Sequence, residues 1–541
     1  MNLSTVKKFV LIMISVSLIA SCNIDELEFD NLEVTPITGV FSFPLGEATY
    51  VMSDLLIKQT GDSLEFEEDS TSLYTLLYYD TITYSAPDDF IRISDIVQNG
   101  VASPPAYPGG AARQETFSAS FDLTYDPDDG EELDSVFYLT GDLTFATDSE
   151  IPADIDYTYT VQNTTHVNTG TPISISGTVS NTVAPVDSDS QSASLVNHVT
   201  KLTGGNTFTV DLDVTVNLAA AQSLTGLEEV RFTLTYGNQT FGLIYGKFGQ
   251  DVVQVGNQSL DIDFFSQASR DGITFGNPSL TFDFRNSFGV PVEMDFSGIN
   301  GVDDSDGSQV FLSGNIVNNP PTVGGSDVNT PTPTTPGETV QTVVEINRSN
   351  SNLVNLLASA PDRLVFDVAG RSNPTSTTTL NYLQPTSQIT AYVAMEIPFE
   401  VKLENYKETG TFSFRGGLQL DNVDSAFIRV VTVNELPFSG LATLEIKDAD
   451  SVTLFTIADN LVINAPFINV NGEVTDPNGA TTDIPVTGEQ VDLLANASYM
   501  QITMTFNTPV SQTSREIYVK ILADYALTLK VGIGGKFNLD L

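Results

Sequence analysis

Residues 155–161 decide the fold class of this chain, and they read Ile155-Asp156-Tyr157-Thr158-Tyr159-Thr160-Val161. Apolar and polar side chains alternate through the whole stretch. Successive side chains of a β-strand point to opposite faces of its sheet, so this two-residue period is typical of a strand with one buried face. We therefore expect a half-buried strand at this position.

The same alternation recurs at residues 117–123, 280–284 and 527–533. Turn signals rich in Asp, Gly and Pro separate such stretches, and the clearest are residues 126–130 and 303–307. Long segments with a helical period are missing after residue 21. The sequence predicts a mostly β protein, with tandem antiparallel β-sandwich or curved-sheet domains and a few short helices.

A chain of 541 residues is too long for one hydrophobic core, which rarely grows beyond roughly 250–300 residues. We predict a β-rich domain at 39–317, with room for two subdomains, and a second at 339–541. Residues 318–338 are rich in Pro and Thr, which disfavour a sheet interior. This segment is either a linker or a long loop.

A weak internal repeat favours the linker. Residues 53–67 and 351–367 each read as a capped short helix followed by a strand. Chance similarity remains the alternative, since the spacing between the helix and the strand differs between the two copies.

Residues 1–21 have the parts of a secretory signal peptide. Lys7 and Lys8 precede an apolar run that is too short to span a bilayer. The run ends in Leu18-Ile19-Ala20-Ser21-Cys22, which resembles a lipobox. It implies cleavage between Ser21 and Cys22 and attachment of diacylglycerol, with palmitate-type acyl chains, to the Cys22 thiol. The alternative is an ordinary signal peptide that contains a cysteine by chance.

Residues 22–38 are interpreted as an acidic tether, because Asp25, Glu26, Glu28 and Asp30 follow the cysteine closely. This patch resembles the surface-export signal of Bacteroidota lipoproteins, which implies the outer membrane and its external face. A tether that is merely soluble is the alternative. Cys22 is the sole cysteine, so a disulfide within this sequence is excluded.

The formal net charge of −47 excludes a nucleic-acid partner, since phosphate backbones are bound by Lys and Arg. Cations, basic protein surfaces and neutral glycans remain compatible partners, and solubility alone is the simpler explanation of the charge.

Several short motifs resemble a widespread family of Bacteroidota surface-exposed outer-membrane lipoproteins. They are Ser349-Asn350-Ser351-Asn352-Leu353, Asp362-Arg363-Leu364-Val365-Phe366, Ser372-Asn373-Pro374 and Asp524-Tyr525-Ala526-Leu527-Thr528-Leu529-Lys530-Val531-Gly532. The resemblance carries no catalytic residues. It implies an outer-membrane β-barrel protein as one candidate partner, because some such lipoproteins are external subunits of assembly machines.

Motifs for catalysis or metal binding are weak. His166 and His198 are the only histidines and lie in polar surroundings, so we expect exposed loop or strand residues rather than a zinc site. Residues 61–64 spell Gly-Asp-Ser-Leu, the motif of a family of serine hydrolases whose base is the His of an Asp-x-x-His sequence. Neither histidine here has an Asp three residues before it, so we interpret residues 61–64 as a turn.

Glycan binding is disfavoured by the absence of tryptophan. In strand geometry Tyr74 and Tyr78 share one face and Tyr79 lies on the other, a split that favours sheet packing. Calcium is the most plausible ion, with the turn residues Asp126, Asp128, Asp129, Asp304 and Asp306 as weak candidates and no other cofactor expected.

The sequence thus predicts a non-enzymatic outer-membrane lipoprotein, lipid-anchored and facing outwards, that acts as a binding or scaffold module. Three alternatives stay open: an accessory subunit of an outer-membrane assembly or export machine, a glycan-capturing or glycan-degrading lipoprotein, and a lipid-carrying groove protein.

Replacing Cys22 tests the anchor. Cys22→Ser removes the thiol, so incorporation of labelled palmitate should fall to background and the protein should leave the membrane fraction. Ser21→Ala keeps a small residue before the cleavage site and should retain both properties. Membrane retention by the Cys22→Ser protein would count against lipid anchoring.

Overall fold

The structure is a computed structural model that describes residues 37–51, 65–85, 94–127, 131–180, 187–250, 252–262, 272–321, 336–374, 380–413, 423–494, 496–509 and 518–539. The signal peptide, Cys22 and nearly all of the tether lie outside these ranges, as do residues 61–64, Asp128, Asp129 and most of 318–338. The predicted fold class is confirmed, with 64% strand and 4% helix.

The strands of the first half follow one another from the start of the described chain to residue 311. They are β1 (Ile37–Val51), β2 (Glu65–Glu68), β3 (Tyr74–Tyr84), β4 (Ile96–Ala102), β5 (Arg113–Thr124), β6 (Glu132–Ser149), β7 (Asp154–His166), β8 (Pro172–Val179), β9 (Asp187–Ser194), β10 (His198–Lys201), β11 (Thr207–Leu218), β12 (Val230–Lys247), β13 (Val252–Asp261), β14 (Ile273–Phe275), β15 (Ser279–Asn286), β16 (Val292–Asp295), β17 (Asn300–Val302) and β18 (Gln309–Phe311).

The second half contains the remaining strands. They are β19 (Val340–Asn347), β20 (Arg363–Ser372), β21 (Asn381–Leu383), β22 (Ile389–Pro398), β23 (Glu400–Leu403), β24 (Tyr406–Ser413), β25 (Val423–Asn434), β26 (Ser439–Lys447), β27 (Thr453–Ile463), β28 (Phe467–Ile468), β29 (Val474–Asp476), β30 (Asn478–Val486), β31 (Tyr499–Asn507), β32 (Val519–Lys520) and β33 (Ala526–Leu539). The described residues also form three short helices, α1 (Asn315–Asn318), α2 (Leu353–Ala358) and α3 (Gly488–Leu494).

The largest sheet has ten antiparallel strands in the order β21-β12-β6-β10-β7-β11-β5, and β4, β8 and β9 pair with β12, β7 and β6. The short strand β10 lies between β6 and β7. Phe145 of β6 and Tyr159 of β7 nevertheless stack with ring centroids 4.0 Å apart. The sheet therefore folds over on itself into a sandwich, with β10 joining its two layers.

The alternation predicted for residues 155–161 is confirmed in β7. Ile155, Tyr157, Tyr159 and Val161 are buried in the core of this sandwich. The residues between them form the other side of the strand and are exposed or half-buried. The apolar half of the period supplies the core, and the polar half faces solvent.

A second sandwich contains the five-stranded sheet β19-β15-β22-β3-β2. On its buried side, Tyr78 of β3 stacks on Phe366 of β20 with ring centroids 5.8 Å apart. Phe282 of β15 contacts Phe296 at 5.1 Å. These contacts join it to the sheet β13-β20-β17-β18, to which β16 also belongs.

The two chain ends of the described region meet in the sheet β1-β33-β25-β30. β1 runs antiparallel to β33 along its whole length, from Ile37 opposite Leu539 to Val51 opposite Ala526. The alternation predicted for residues 527–533 is confirmed, since its apolar members are all buried. The remaining sheets are β24-β31-β26-β27, β14-β23-β32 and β28-β29.

Strand pairing crosses the Pro/Thr-rich segment. β15 precedes residues 318–338 and pairs with β19 and β22, which follow them. β1, β3, β12, β13 and β14 likewise pair with strands of the second half. The predicted ranges 39–317 and 339–541 therefore share sheets, and their strands interleave.

The helix and strand predicted for residues 351–367 are present as α2 and β20, whereas the helical part of the first copy lies outside the described residues. The N-terminal cap expected for α2 is not formed by Asn352. Asn352 makes no side-chain capping bond. Its side-chain oxygen accepts from the Ser313 N–H and its amide donates to the Phe311 carbonyl. Asn352 therefore fastens the helix start to the end of β18.

Among the described residues, no helix has the length and apolarity needed to cross a membrane.

The sandwich core predicts a large effect for Phe145→Ala. The ring is fully buried and stacks on Tyr159, so its removal leaves a cavity and should destabilise the protein by about 3–5 kcal/mol. Ser174→Ala alters an exposed position of β8 and should change stability by less than about 0.5 kcal/mol. Urea unfolding measures both, and similar values would argue against this core.

Candidate functional site

One exposed sheet face combines aromatic and charged side chains. It lies on the five-stranded sheet β19-β15-β22-β3-β2, and we name it the tyrosine face. Its defining residues are Tyr79, Asp283, Arg285, Val343 and Tyr392.

Backbone register aligns this face. Val343 of β19 lies opposite Asp283 of β15, which lies opposite Tyr392 of β22, which in turn lies opposite Thr81 of β3. Neighbouring strands are about 4.8 Å apart, so the row extends roughly 15 Å. Tyr79 lies two residues before Thr81 on β3, and it is therefore a diagonal neighbour of Tyr392.

The apolar members of the face are open to solvent. Tyr79 is 59% exposed, Val343 56% and Tyr392 42%. The predicted split of the tyrosines is confirmed, because Tyr78 is buried and Tyr74 packs against the core. The interpretation as packing alone was incomplete, since Tyr79 itself packs against no core.

Arg285 fixes the second ring. Its guanidinium carbon lies 4.8 Å from the centroid of the Tyr392 ring, and one of its nitrogens lies 3.5 Å from Asp283. A cation over an aromatic face is attracted by the ring's electron density. Tyr392 is thereby held on the sheet by Arg285 on one side.

Asp283 carries an unusual oxygen. Its Oδ1 atom is buried, and within the described part of the chain it accepts no hydrogen bond. A buried acceptor without a donor costs about 1–3 kcal/mol, and native proteins rarely keep one. A ligand on this face would reach the carboxylate only from its solvent-facing side, where the side chain is 23% exposed.

Tyr79 remains a neutral phenol over the physiological range. Partial desolvation raises its pKa, and the negative charges of Glu396, Glu67 and Glu65 raise the pKa further. A neutral phenol both donates and accepts hydrogen bonds. The face thus offers two aromatic rings, the phenol hydroxyl of Tyr79, a guanidinium and a carboxylate to one flat ligand.

Sequence reasoning missed most of this face. Asp283, Arg285, Val343 and Tyr392 come from three strands that are distant in sequence, and each looks like an ordinary outward-facing residue. The usable signal was the alternation in this strand, which places Tyr392 on the same face as the charged Glu396. The register that places it beside Asp283 is a property of the folded sheet.

A second polar cluster lies inside the first sandwich, beside β10. Tyr138 hydrogen bonds with Tyr125 and with Thr200, at 2.7 Å each. Thr164 bonds with Thr200 and with Tyr236, at 2.8 Å each. These five hydroxyls form one buried chain that ties the bridging strand to both layers.

His166 and His198 lie next to this chain. Both are strand residues, as expected, but they are half-buried rather than exposed. The structure places them opposite each other on β7 and β10. Their spacing in the sequence gave no indication of this pairing.

The acidic turns remain weak calcium candidates. Asp304 accepts from Arg363 at 2.9 Å, and Asp306 accepts from the Ser308 N–H at 2.8 Å. Asp126 is exposed, while Asp128 and Asp129 lie outside the described residues. No group of three or more His, Cys, Asp or Glu that could hold a metal occurs in the described ranges. Calcium binding there stays a prediction.

Comparisons with known proteins give little beyond this geometry. No protein-family model matches the sequence, and no curated protein matches it. A crystal structure of a protein from Parabacteroides distasonis, described as secreted, is similar with 10% identity and a TM-score of 0.32, over 55% of this chain and 90% of that one. A structure of infectious bursal disease virus is similar with 12% identity and a TM-score of 0.14, over 81% of this chain and 75% of that one. Likenesses at this level assign no function.

The buried hydroxyl chain predicts a loss of stability in alkali. Burial raises the pKa of Tyr138 to about 12, from the ordinary value of 10.0 in the unfolded chain. The folded state therefore keeps a proton that the unfolded state releases. Stability from this group is complete below pH 10 and falls as the pH rises towards 12.

Tyr138→Phe removes that proton difference. Its stability should fall less steeply between pH 10 and 12, by about 1.4 kcal/mol per pH unit. Urea unfolding at several pH values measures the slope. Identical slopes for the two proteins would contradict the proposed titration of Tyr138.

Proposed function

We propose that this protein is a non-enzymatic lipoprotein on the external face of the outer membrane, which captures neutral glycans through the tyrosine face. The observation that carries this proposal is the two exposed tyrosine rings, Tyr79 and Tyr392, beside the ion pair of Arg285 with Asp283. A ligand that supplies both hydroxyl donors and apolar ring faces matches this combination.

Sugars have that chemistry. The C–H face of a pyranose packs on an aromatic ring, and its hydroxyls donate to carboxylates and accept from guanidinium groups. Tyr79 and Tyr392 supply the rings, Asp283 the acceptor and Arg285 the donors. Binding sites commonly combine such apolar surface with a few placed polar groups.

Charge limits the choice of glycan. The chain carries a formal net charge of −47, and Glu65, Glu67 and Glu396 lie near Tyr79. Anionic polysaccharides would be repelled by this field, whereas neutral ones are not. Since tyrosine offers less stacking area than tryptophan, we expect modest affinity for each site and a gain from display of many copies on one membrane.

The anchor supports capture rather than release. The Leu18–Cys22 lipobox motif and the acidic tether favour permanent attachment of the module to the membrane surface. A lipid-anchored module that binds polysaccharide would retain it at the cell. The export-machine subunit stays as an alternative from family resemblance.

Calorimetric titration of the full mature chain with neutral α-glucan, β-glucan, xylan and mannan tests this function. At least one should bind, and Tyr79→Ala and Tyr392→Ala should each weaken binding by about tenfold, or about 1.4 kcal/mol. Phe467→Ala removes an exposed ring elsewhere and should leave affinity unchanged.

Asp283→Asn adds a sharper comparison. It replaces the carboxylate by an amide of the same shape, so it should weaken glycan binding, and at this half-exposed position it should change stability by less than about 0.5 kcal/mol. Failure of every neutral glycan to bind would reject the proposed function. Binding that both tyrosine variants retain would instead place the glycan site elsewhere on the molecule.

A further inference from the structure

The two histidines are brought together from positions 166 and 198 by antiparallel pairing of β7 and β10. They are the only histidines in the sequence, and each lies directly opposite the other. Their ring centroids are 5.3 Å apart, and the ring planes are nearly perpendicular at 88°. Side chains on directly opposed residues of a sheet can share one ligand.

The Nδ1 atom of each histidine forms a hydrogen bond with the backbone of a residue two positions away. His198 donates its Nδ1–H to the Val196 carbonyl at 3.0 Å, so in the neutral ring, the form that binds metals, the lone pair lies on Nε2. His166 accepts the Asn168 N–H on Nδ1 at 3.3 Å. His198 is therefore preset as a metal ligand, while His166 must give up one long hydrogen bond to coordinate through Nε2.

The ring separation fits a shared metal ion. A Zn–N bond of about 2.0–2.1 Å, with about 1 Å more from nitrogen to ring centre, puts two imidazole centres roughly 5 Å apart at tetrahedral positions. Both rings are half-exposed, so an ion can reach them. The next row inwards is the buried pair Thr164 and Thr200.

We propose that His166 and His198 form a binding site for a borderline transition-metal ion such as Zn²⁺, Ni²⁺ or Cu²⁺. Imidazole suits these ions, and Cu²⁺ should bind most tightly. In the described ranges no third His, Cys, Asp or Glu joins the pair, so water completes the coordination. The site is independent of the tyrosine face and its glycan.

An ion bound between β7 and β10 would stabilise the first sandwich. β10 joins the two layers of the first sandwich, and the histidines link it to β7 at the end of their pairing. An ion held by both rings cross-links the two strands. Because it binds the folded arrangement only, it should raise thermal stability.

Titration of the full mature chain with Zn²⁺ and Cu²⁺, in excess Ca²⁺ and Mg²⁺ to occupy surface carboxylates, tests the site. We expect one ion per chain, a rise in melting temperature, and a Cu²⁺ electron paramagnetic resonance spectrum with two nitrogen ligands. His198→Asn should weaken binding more than tenfold, and His166→Asn should weaken it less. Asn168→Ala retains the backbone N–H and both rings, so it should bind as the wild type does.

Melting temperatures measured in the presence of a chelator show whether a variant is less stable in itself or only binds metal more weakly. Both histidine variants should melt as the wild type does in the presence of a chelator, because the exchanged rings are half-exposed. Unchanged affinity in both variants, or a spectrum without nitrogen ligands, would overturn the proposal. Loss of the metal-induced stabilisation in both variants, with stability in chelator retained, supports it.

Discussion

The structure depends on one constraint: strands pair through backbone hydrogen bonds while their side chains alternate between a buried and an exposed face. With one cysteine in the sequence, no disulfide can reinforce it, so stability rests on apolar packing and antiparallel hydrogen bonds. Each strand must send its apolar half inwards. Ile155, Tyr157 and Tyr159 do so in β7, and the side chains between them face outwards. The exposed faces are free to carry function because packing of the buried faces and backbone hydrogen bonds hold the sheets together.

This separation explains what the sequence could predict. The period is local, so the strand at 155–161, the alternation near residue 530 and the placement of Tyr78 and Tyr79 on opposite faces followed from the residues alone. Partners of strands are not local. β15 pairs with β19 and β22 across the Pro/Thr-rich segment, and no residue pattern states that register. Strand register brings together the residues of the tyrosine face and of the histidine pair, so neither could be predicted from the sequence. The capping of α2 differed for a similar reason, since Asn352 found partners in a distant loop.

The tyrosine face shows how a sheet accommodates an unfavourable group. A buried carboxylate oxygen without a donor lowers stability, and the large apolar core on the opposite side of the same sheet offsets that loss. Phe282 and Phe284 lie in that core, on either side of Asp283 in the sequence. A rigid strand therefore holds the polar group in place, so little ordering is needed when a ligand arrives.

The pairing of β1 with β33 has a consequence for how the molecule is made. Chains emerge from their N-terminus first, yet β1 finds its partner only at the opposite end of the described chain. During synthesis the first described strand therefore lacks this partner until almost all the other described strands have appeared. Unpaired edges invite pairing with other chains, so this interval is the period of greatest exposure to aggregation. A factor that shields β1 in that interval would govern the yield of folded protein without forming any contact in the finished molecule.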